Sequence, residues 1–331
     1  MNFWNGRNVL VTGANGFLGS WLTERLVNNA ASVVALLRDD IPNTNLSYSG
    51  TDKRISTVWG DLVNFETIRR ILNEYCIDTV FHVGAQAVVA IANRSPIPTF
   101  YSNITGTWNV LEAARLTETV ECVMVASSDK AYGKHNILPY TEDAALLAKY
   151  PYDVSKACTD LIARSYWSTY GLPVGITRCA NFYGGGDLNF SRIVPDAVRS
   201  ILRGQRPVIR SDGTPVREYF YIEDAVDAYL TFAEQMKAKK LQGDAINFGT
   251  GEYLSVLDLV KRIIAVSGRR LEPEILGKGE LHAEIDRQYL SSDKARRLLG
   301  WNAKTRLDEG LRKTFKWYEE YFNFIEASRK K

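Results

Sequence analysis

Six short apolar runs mark the first half of the chain: NVLVT (8–12), SVVALL (32–37), ISTVWG (55–60), TVFHVG (79–84), CVMVAS (122–127) and VGITRC (174–179). Amphipathic stretches such as GSWLTERLVNN, ETIRRILNEYC and TGTWNVLEAARL lie between the first five. A strand apolar at nearly every position is covered on both faces. Alternation with helices supplies that cover and predicts a parallel sheet. The chain is therefore read as α/β and doubly wound. A longer helix is expected over YDVSKACTDLIARSYWSTYG, ending at Gly171-Leu172-Pro173.

The first strand runs into a glycine turn and then a helix, in VLVTGANGFLGSWL. Gly13, Gly16 and Gly19 fall where a dinucleotide site needs them: at the tight turn, at the backbone's approach to a pyrophosphate, and where helix meets strand. The turn opens a repeating β/α pattern, the context that gives such glycines meaning. This predicts a Rossmann-type sheet binding a dinucleotide. The cofactor, NAD or NADP, stays open. The second strand ends Leu37-Arg38-Asp39-Asp40, where Arg38 suits a 2′-phosphate and Asp39 a ribose hydroxyl.

After about residue 180, Gly-, Pro- and charge-rich segments such as NFYGGGDLNF, RGQRPVIRSDGTPVRE and ILGKGELHAEIDRQ intervene between shorter helices. They predict a smaller C-terminal substrate-binding lobe. The expected division is a dinucleotide domain over 1–180 with parts of 220–250, and a substrate lobe over 181–219 and 251–331. The tail ASRKK is read as a frayed end. Lys+Arg is 41 against Asp+Glu 38, a net charge of +3, which gives no reason to expect nucleic acid or an acidic membrane. No apolar run reaches the ~18–20 residues of a membrane span. Cys76, Cys122, Cys158 and Cys179 show no CxxC spacing, and His82, His135 and His282 are scattered, so no metal site is expected. A cytoplasmic enzyme in a reducing compartment fits these features.

PYDVSKAC places Tyr152 and Lys156 four apart on one helical face. A tyrosine with a pKa near ~10 is a poor base at neutral pH. A nearby ammonium and a positive nicotinamide would favour the phenolate. Upstream, SSDKAYG (127–133) delivers the hydroxyl of Ser128, the carboxyl of Asp129 and the amine of Lys130 to the end of the fifth strand.

The GxxGxxG spacing and the YxxxK helix resemble the extended short-chain dehydrogenase/reductase superfamily. The resemblance implies that Gly13, Asn15, Gly16, Phe17, Leu18 and Gly19 form the cofactor turn. It also implies that Asp61 and Leu62 lie beside the adenine, and that Val83, Gly84 and Ala85 pass the phosphate and ribose. Arg38, Asn103, Tyr152 and Lys156 complete the cofactor set, and Ser128, Tyr152 and Lys156 form the oxidising centre. The Asp129-Lys130 pair is similar to that of nucleotide-sugar 4,6-dehydratases of the CDP-glucose type. Such enzymes must remove a proton at C5 and protonate a departing C6 hydroxyl. Asp129 is expected as the acid; Lys130 is expected as the base, or as a group that only orients water or sugar. Glu142 is a second candidate acid. Gln86, Asn181, Arg217 and Arg287 are expected at the nucleotide-diphosphate sugar, the arginines clamping its diphosphate. GGGD (184–187) and IVPD (193–196) also resemble the CDP-glucose enzymes, whereas REYFYIEDA looks more like the dTDP- and GDP-sugar enzymes. A 4-epimerase, a 4-keto reductase and a non-catalytic dinucleotide sensor are the competing functions. The family also implies a homodimer.

Overall fold

The computed structural model describes residues 2–277 and 285–329. His282 lies outside them, as do Lys330 and Lys331 of the expected frayed tail. Ala327–Arg329 continue the last helix rather than fraying.

Thirteen strands are described: β1 (Asn8–Thr12), β2 (Ser32–Leu37), β3 (Ser56–Trp59), β4 (Thr79–His82), β5 (Cys122–Ala126), β6 (Val174–Cys179), β7 (Asn181–Tyr183), β8 (Val208–Ile209), β9 (Val216–Tyr221), β10 (Ala245–Phe248), β11 (Tyr253–Ser255), β12 (Glu274–Ile275) and β13 (Arg287–Gln288). Seven form one parallel sheet in the order β10-β6-β5-β4-β1-β2-β3. The six expected strands are all in it. The seventh, AINF of β10, was not read from the sequence. It is only four residues long, and it pairs with β6 at the sheet edge.

Side chains alternate between the two faces of a strand. Val9 and Val11 of β1 enter one core cluster, with Cys122, Met124 and Ala126 of β5. Leu10 enters the other, with Val123 and Val125. The Phe17–Asn28 and Ile222–Met236 helices cover the first face, and the Phe65–Glu74 and Gly106–Arg115 helices the second. Burial on both faces is the physical reason for the apolar runs of β1, β2, β4, β5 and β6, whereas the edge strand β3 buries only Val58.

The chain order reverses between β1 and β4. Each strand's C-terminal end opens there onto a crevice, where an open α/β sheet binds ligands. Beyond the sheet, β9 carries β11 antiparallel and β7 and β13 parallel, and β8 pairs β12. The Pro151–Tyr170 helix begins with Pro at its first turn and stops at Gly171, whose φ of 70° suits glycine. One buried pair ties it to the sheet: Arg178 of β6 donates to both oxygens of Asp160 at 2.7 and 2.8 Å. Among the described residues, no helix is long and apolar enough to cross a membrane.

Candidate active site

The glycine turn is as tight as its sequence predicts. Gly13 has φ +69°, and a Cβ there would lie 2.6 Å from the Gly84 Cα. A Cβ on Gly19 would lie 2.1 Å from the Gly13 carbonyl oxygen. Gly16 caps the helix that begins at Phe17 and Leu18. No side chain satisfies the cap, and the first turn holds no acidic residue. Unopposed N–H groups at a helix start, reached over glycine, are what a pyrophosphate requires. The residues present therefore fit a dinucleotide.

Around that turn, Thr12 Oγ1 accepts from the Gly84 N–H at 3.0 Å and meets His82 Nδ1 at 3.0 Å. Burial lowers the His82 pKa to about 3, so its ring is a neutral strut. Val83 and Ala85 flank Gly84 in the loop that follows β4. At the end of β2, Asn15 Nδ2 donates to the Asp39 carbonyl at 3.1 Å. The guanidinium of Arg38 donates to the Asp39 carboxylate at 2.9 Å, so the two groups that would distinguish NADP from NAD are paired with each other. The Asp61 carboxylate accepts from Val63 N–H at 3.1 Å, and the Leu62 carbonyl accepts from Asn109 at 3.0 Å.

Asn103 and Gln86 serve a different geometry from the one expected of them. Asn103 is buried in a π-helical turn over Tyr101–Thr105. It accepts from the Gln86 N–H at 2.7 Å, and donates to the Gln86 carbonyl at 3.0 Å and to Ser155 Oγ at 2.9 Å. It thus ties the loop after β4 to the Pro151–Tyr170 helix. The Gln86 side chain folds back onto Val88 N–H and carbonyl, at 2.9 and 3.3 Å, and is not among the residues lining the main cleft.

That cleft holds about 510 Å³. Ser128, Asp129, Lys130, Tyr152, Asn181 and Arg217 line it, together with Arg192 and Arg210, which the sequence reading had not singled out. Arg287 does not line it. Its side chain is exposed, with the guanidinium 5.9 Å from the Tyr289 ring centroid. Alternation along β13 turns Gln288 inward and Arg287 outward.

Asp129 is 2% exposed. Its Oδ1 accepts from Ser128 Oγ at 2.9 Å, and its Oδ2 is buried without a hydrogen-bond partner. Burial raises its pKa, against the opposing pull of Lys130, Ser128 and Arg217. The acid of the acid–amine pair is thus biased toward its protonated form, as an acid donor requires. Glu142 lies elsewhere: its Oε1 accepts from the Asn247 N–H at 2.8 Å, and it does not line the cleft.

The tyrosine differs from expectation. Tyr152 is raised to about 12, by burial first, with Asp129 and Asp153 adding to the rise. Arg192 and a hydrogen bond with Ser128 oppose them. Lys156 is buried, donates to the Ala126 carbonyl at 2.7 Å, and has its own pKa lowered to about 8 by burial. Among the described residues, Arg192, held by Asp187 of GGGD at 3.1 Å, is a cation that opposes the rise of the phenol.

Asp153, beside Tyr152 and 5% exposed, is a further buried carboxyl that sequence reasoning missed. Burial raises it to about 6, with Lys130 opposing and Asp129 adding. A carboxyl with a raised folded pKa contributes stability at acid pH that is lost as pH rises from about 4 through 6. Replacing Asp153 by Asn should therefore flatten the dependence of the unfolding midpoint on pH between those values. It should also raise the midpoint at pH 7 relative to the parent chain, as read by calorimetry.

The reversal of the sheet, the glycine turn and the tyrosine–lysine helix define an extended short-chain dehydrogenase/reductase. The chain belongs to the nucleotide-sugar dehydratase family of that superfamily, the family model described as GDP-mannose 4,6 dehydratase matching residues 10–314. It is 29% identical to CDP-glucose 4,6-dehydratase of Salmonella typhimurium over 337 residues, covering 97% of this chain and 92% of that one. It is 30% identical to the trifunctional UDP-glucose 4,6-dehydratase/UDP-4-keto-6-deoxy-D-glucose 3,5-epimerase/UDP-4-keto-L-rhamnose-reductase RHM1 of Arabidopsis thaliana, over 95% of this chain and 47% of that one. The chain thus spans about half the length of the trifunctional plant relatives that it matches. Among solved structures it resembles dTDP-glucose 4,6-dehydratase of Streptomyces venezuelae with NAD bound, at a TM-score of 0.84 and 28% identity, covering 96% of this chain and 98% of that one. It also resembles UDP-glucose 4-epimerase of Thermotoga maritima with UDP-glucose, at 0.86 and 28%, covering 95% and 99%.

Proposed function

We propose that the chain is a nucleotide-sugar 4,6-dehydratase. It would oxidise C4, eliminate water across C5 and C6, and yield a 4-keto-6-deoxy sugar nucleotide. The observation that supports this most is Asp129, a buried carboxyl with one unpartnered oxygen and a raised pKa, in one cleft with Ser128, Lys130 and Tyr152. A 4-epimerase requires a group at C4 only and would leave such a carboxyl without a task. The epimerase remains the second reading because epimerase structures share the fold.

Tyr152 takes the proton of the C4 hydroxyl and Ser128 holds that oxygen. Asp129 gives its proton to the C6 hydroxyl, which leaves as water, and Lys130 receives the C5 proton. Arg192, Arg210 and Arg217 surround the cleft with cations suited to a diphosphate. A nicotinamide dinucleotide held at Gly13, Gly16 and Gly19 would supply hydride acceptor and donor chemistry and, when oxidised, a positive ring. The relatives solved with NAD favour NAD, and the Arg38–Asp39 pair leaves NADP available. A CDP-glucose-like substrate is favoured by GGGD, IVPD and the Asp-Lys pair, and by likeness to the Salmonella enzyme. Deuterium placed on C4 of the substrate should reappear on C6 of the product, read by NMR. Deuterium retained at C4, in a sugar inverted there, would point to the epimerase.

A further inference from the structure

Gln288 is fully buried on β13, in register with Arg217 of β9. Both ends of its amide engage the acid–lysine corner. Oε1 accepts from the Lys130 ammonium at 2.5 Å, and Nε2 donates to the Asp129 carbonyl at 2.9 Å. The two bonds also fix which way the amide points, since the reverse would set an NH₂ against an ammonium. On the other side, the Lys130 backbone N–H donates to Ser128 Oγ at 3.2 Å. The short turn that carries the acid and the amine is therefore gripped from a strand outside the main sheet.

We propose that Gln288 is the positioning residue of Lys130: its neutral amide holds the amine beside Asp129 and adds no negative charge of its own, so that Lys130 can act as the base at C5. The inference rests on the dehydratase reading. In the elimination, the C5–H bond breaks and its electron pair becomes the C5–C6 double bond. The C6–O bond breaks, and the oxygen leaves with the Asp129 proton as water. Lys130 goes from amine to ammonium and Asp129 from acid to carboxylate, so charge balances. Among the described residues, the ionisable groups packed about this corner are Asp129 on the same turn, Tyr152 and Asp153 on the Pro151–Tyr170 helix, and Arg217 and Glu218 on β9. A substitution at 288 changes none of these groups chemically, although Glu and Met both lose the Nε2 donor to the Asp129 carbonyl. A carboxylate there would add a negative charge to hold the ammonium, whereas an apolar side chain would remove the Oε1 acceptor.

The test compares the parent chain with Gln288→Glu and Gln288→Met, using the nucleotide sugar that the parent dehydrates. Gln288→Glu should move the rising limb of the kcat–pH profile up by about one unit or more. It should lower kcat near neutrality about tenfold and leave KM within about twofold, as Gln288 does not line the cleft. Gln288→Met should lower kcat and move the limb down. Competitive acetylation of Lys130, followed by peptide mass spectrometry across pH, reads the same amine without turnover and should shift the same way. If Met at 288 prevents folding, the near-isosteric Glu variant decides. Unmoved limbs and unmoved acetylation midpoints overturn the proposal, as does a loss confined to KM or to thermal stability. If the parent chain removes water from no nucleotide sugar, the dehydratase reading itself fails and the positioning role falls with it.

Discussion

Asp129→Asn is expected to lower the rate of water loss by about 10²–10⁴-fold, the range for removing a general acid. Asparagine keeps the shape and keeps an oxygen to accept from Ser128 Oγ, now 2.9 Å away. It has no proton acidic enough to give to a leaving hydroxyl. The change should cost little stability, because the protonated acid and the amide both place an unpartnered donor where Oδ2 is buried. C4 oxidation should survive, so reduced cofactor accumulates in a single turnover, seen by its absorbance. Water loss at the parent rate would remove Asp129 from the elimination.

Tyr152→Phe should stop the sequence one stage earlier. Without the phenol no group in the cleft takes the C4 proton, and the loss falls in the same ~10²–10⁴ range. No reduced cofactor forms and no water is released. The two variants thus separate the halves of the reaction. In the parent chain, burial holds the phenol at about 12. Arg192→Met removes the cation that opposes this, so it should move the rising limb of C4 oxidation to higher pH; an unmoved limb would show that Arg192 has no such part.

The sheet was legible because its central strands are buried on both faces and announce this as apolar runs; β3, exposed at the edge, was read from its place in the alternation with helices. AINF of β10 was not legible, since four residues carry no period. The glycine turn was legible because steric need leaves one solution: a side chain at Gly13 or Gly19 would collide with backbone. At the site, Ser128, Asp129, Lys130 and Tyr152 meet in one cleft, as their positions at strand and helix ends suggested.

What was not legible depends on burial and on contacts distant in sequence. Lys156 stands four residues from Tyr152, yet among the described residues a charge that opposes the raised phenol is that of Arg192, forty residues on. Arg287 drew attention as an arginine, but the alternation of a two-residue strand turns its neighbour Gln288 inward. Gln86 was placed at the substrate by likeness, whereas its amide closes its own loop. Asp153 is an ordinary helix-start carboxyl in sequence. Only packing makes it a buried acid near 6.

The measurement that tests the central claim most directly is a mass balance. The purified protein is incubated with CDP-glucose, dTDP-glucose, UDP-glucose, UDP-N-acetylglucosamine and GDP-mannose, first without added cofactor and then with NAD or NADP, and each nucleotide sugar is followed by mass spectrometry. A product lighter by one water, formed with no net consumption of cofactor, is the expected result and names the substrate. An isomer of unchanged mass, or cofactor binding with no reaction on any of the five, would contradict it.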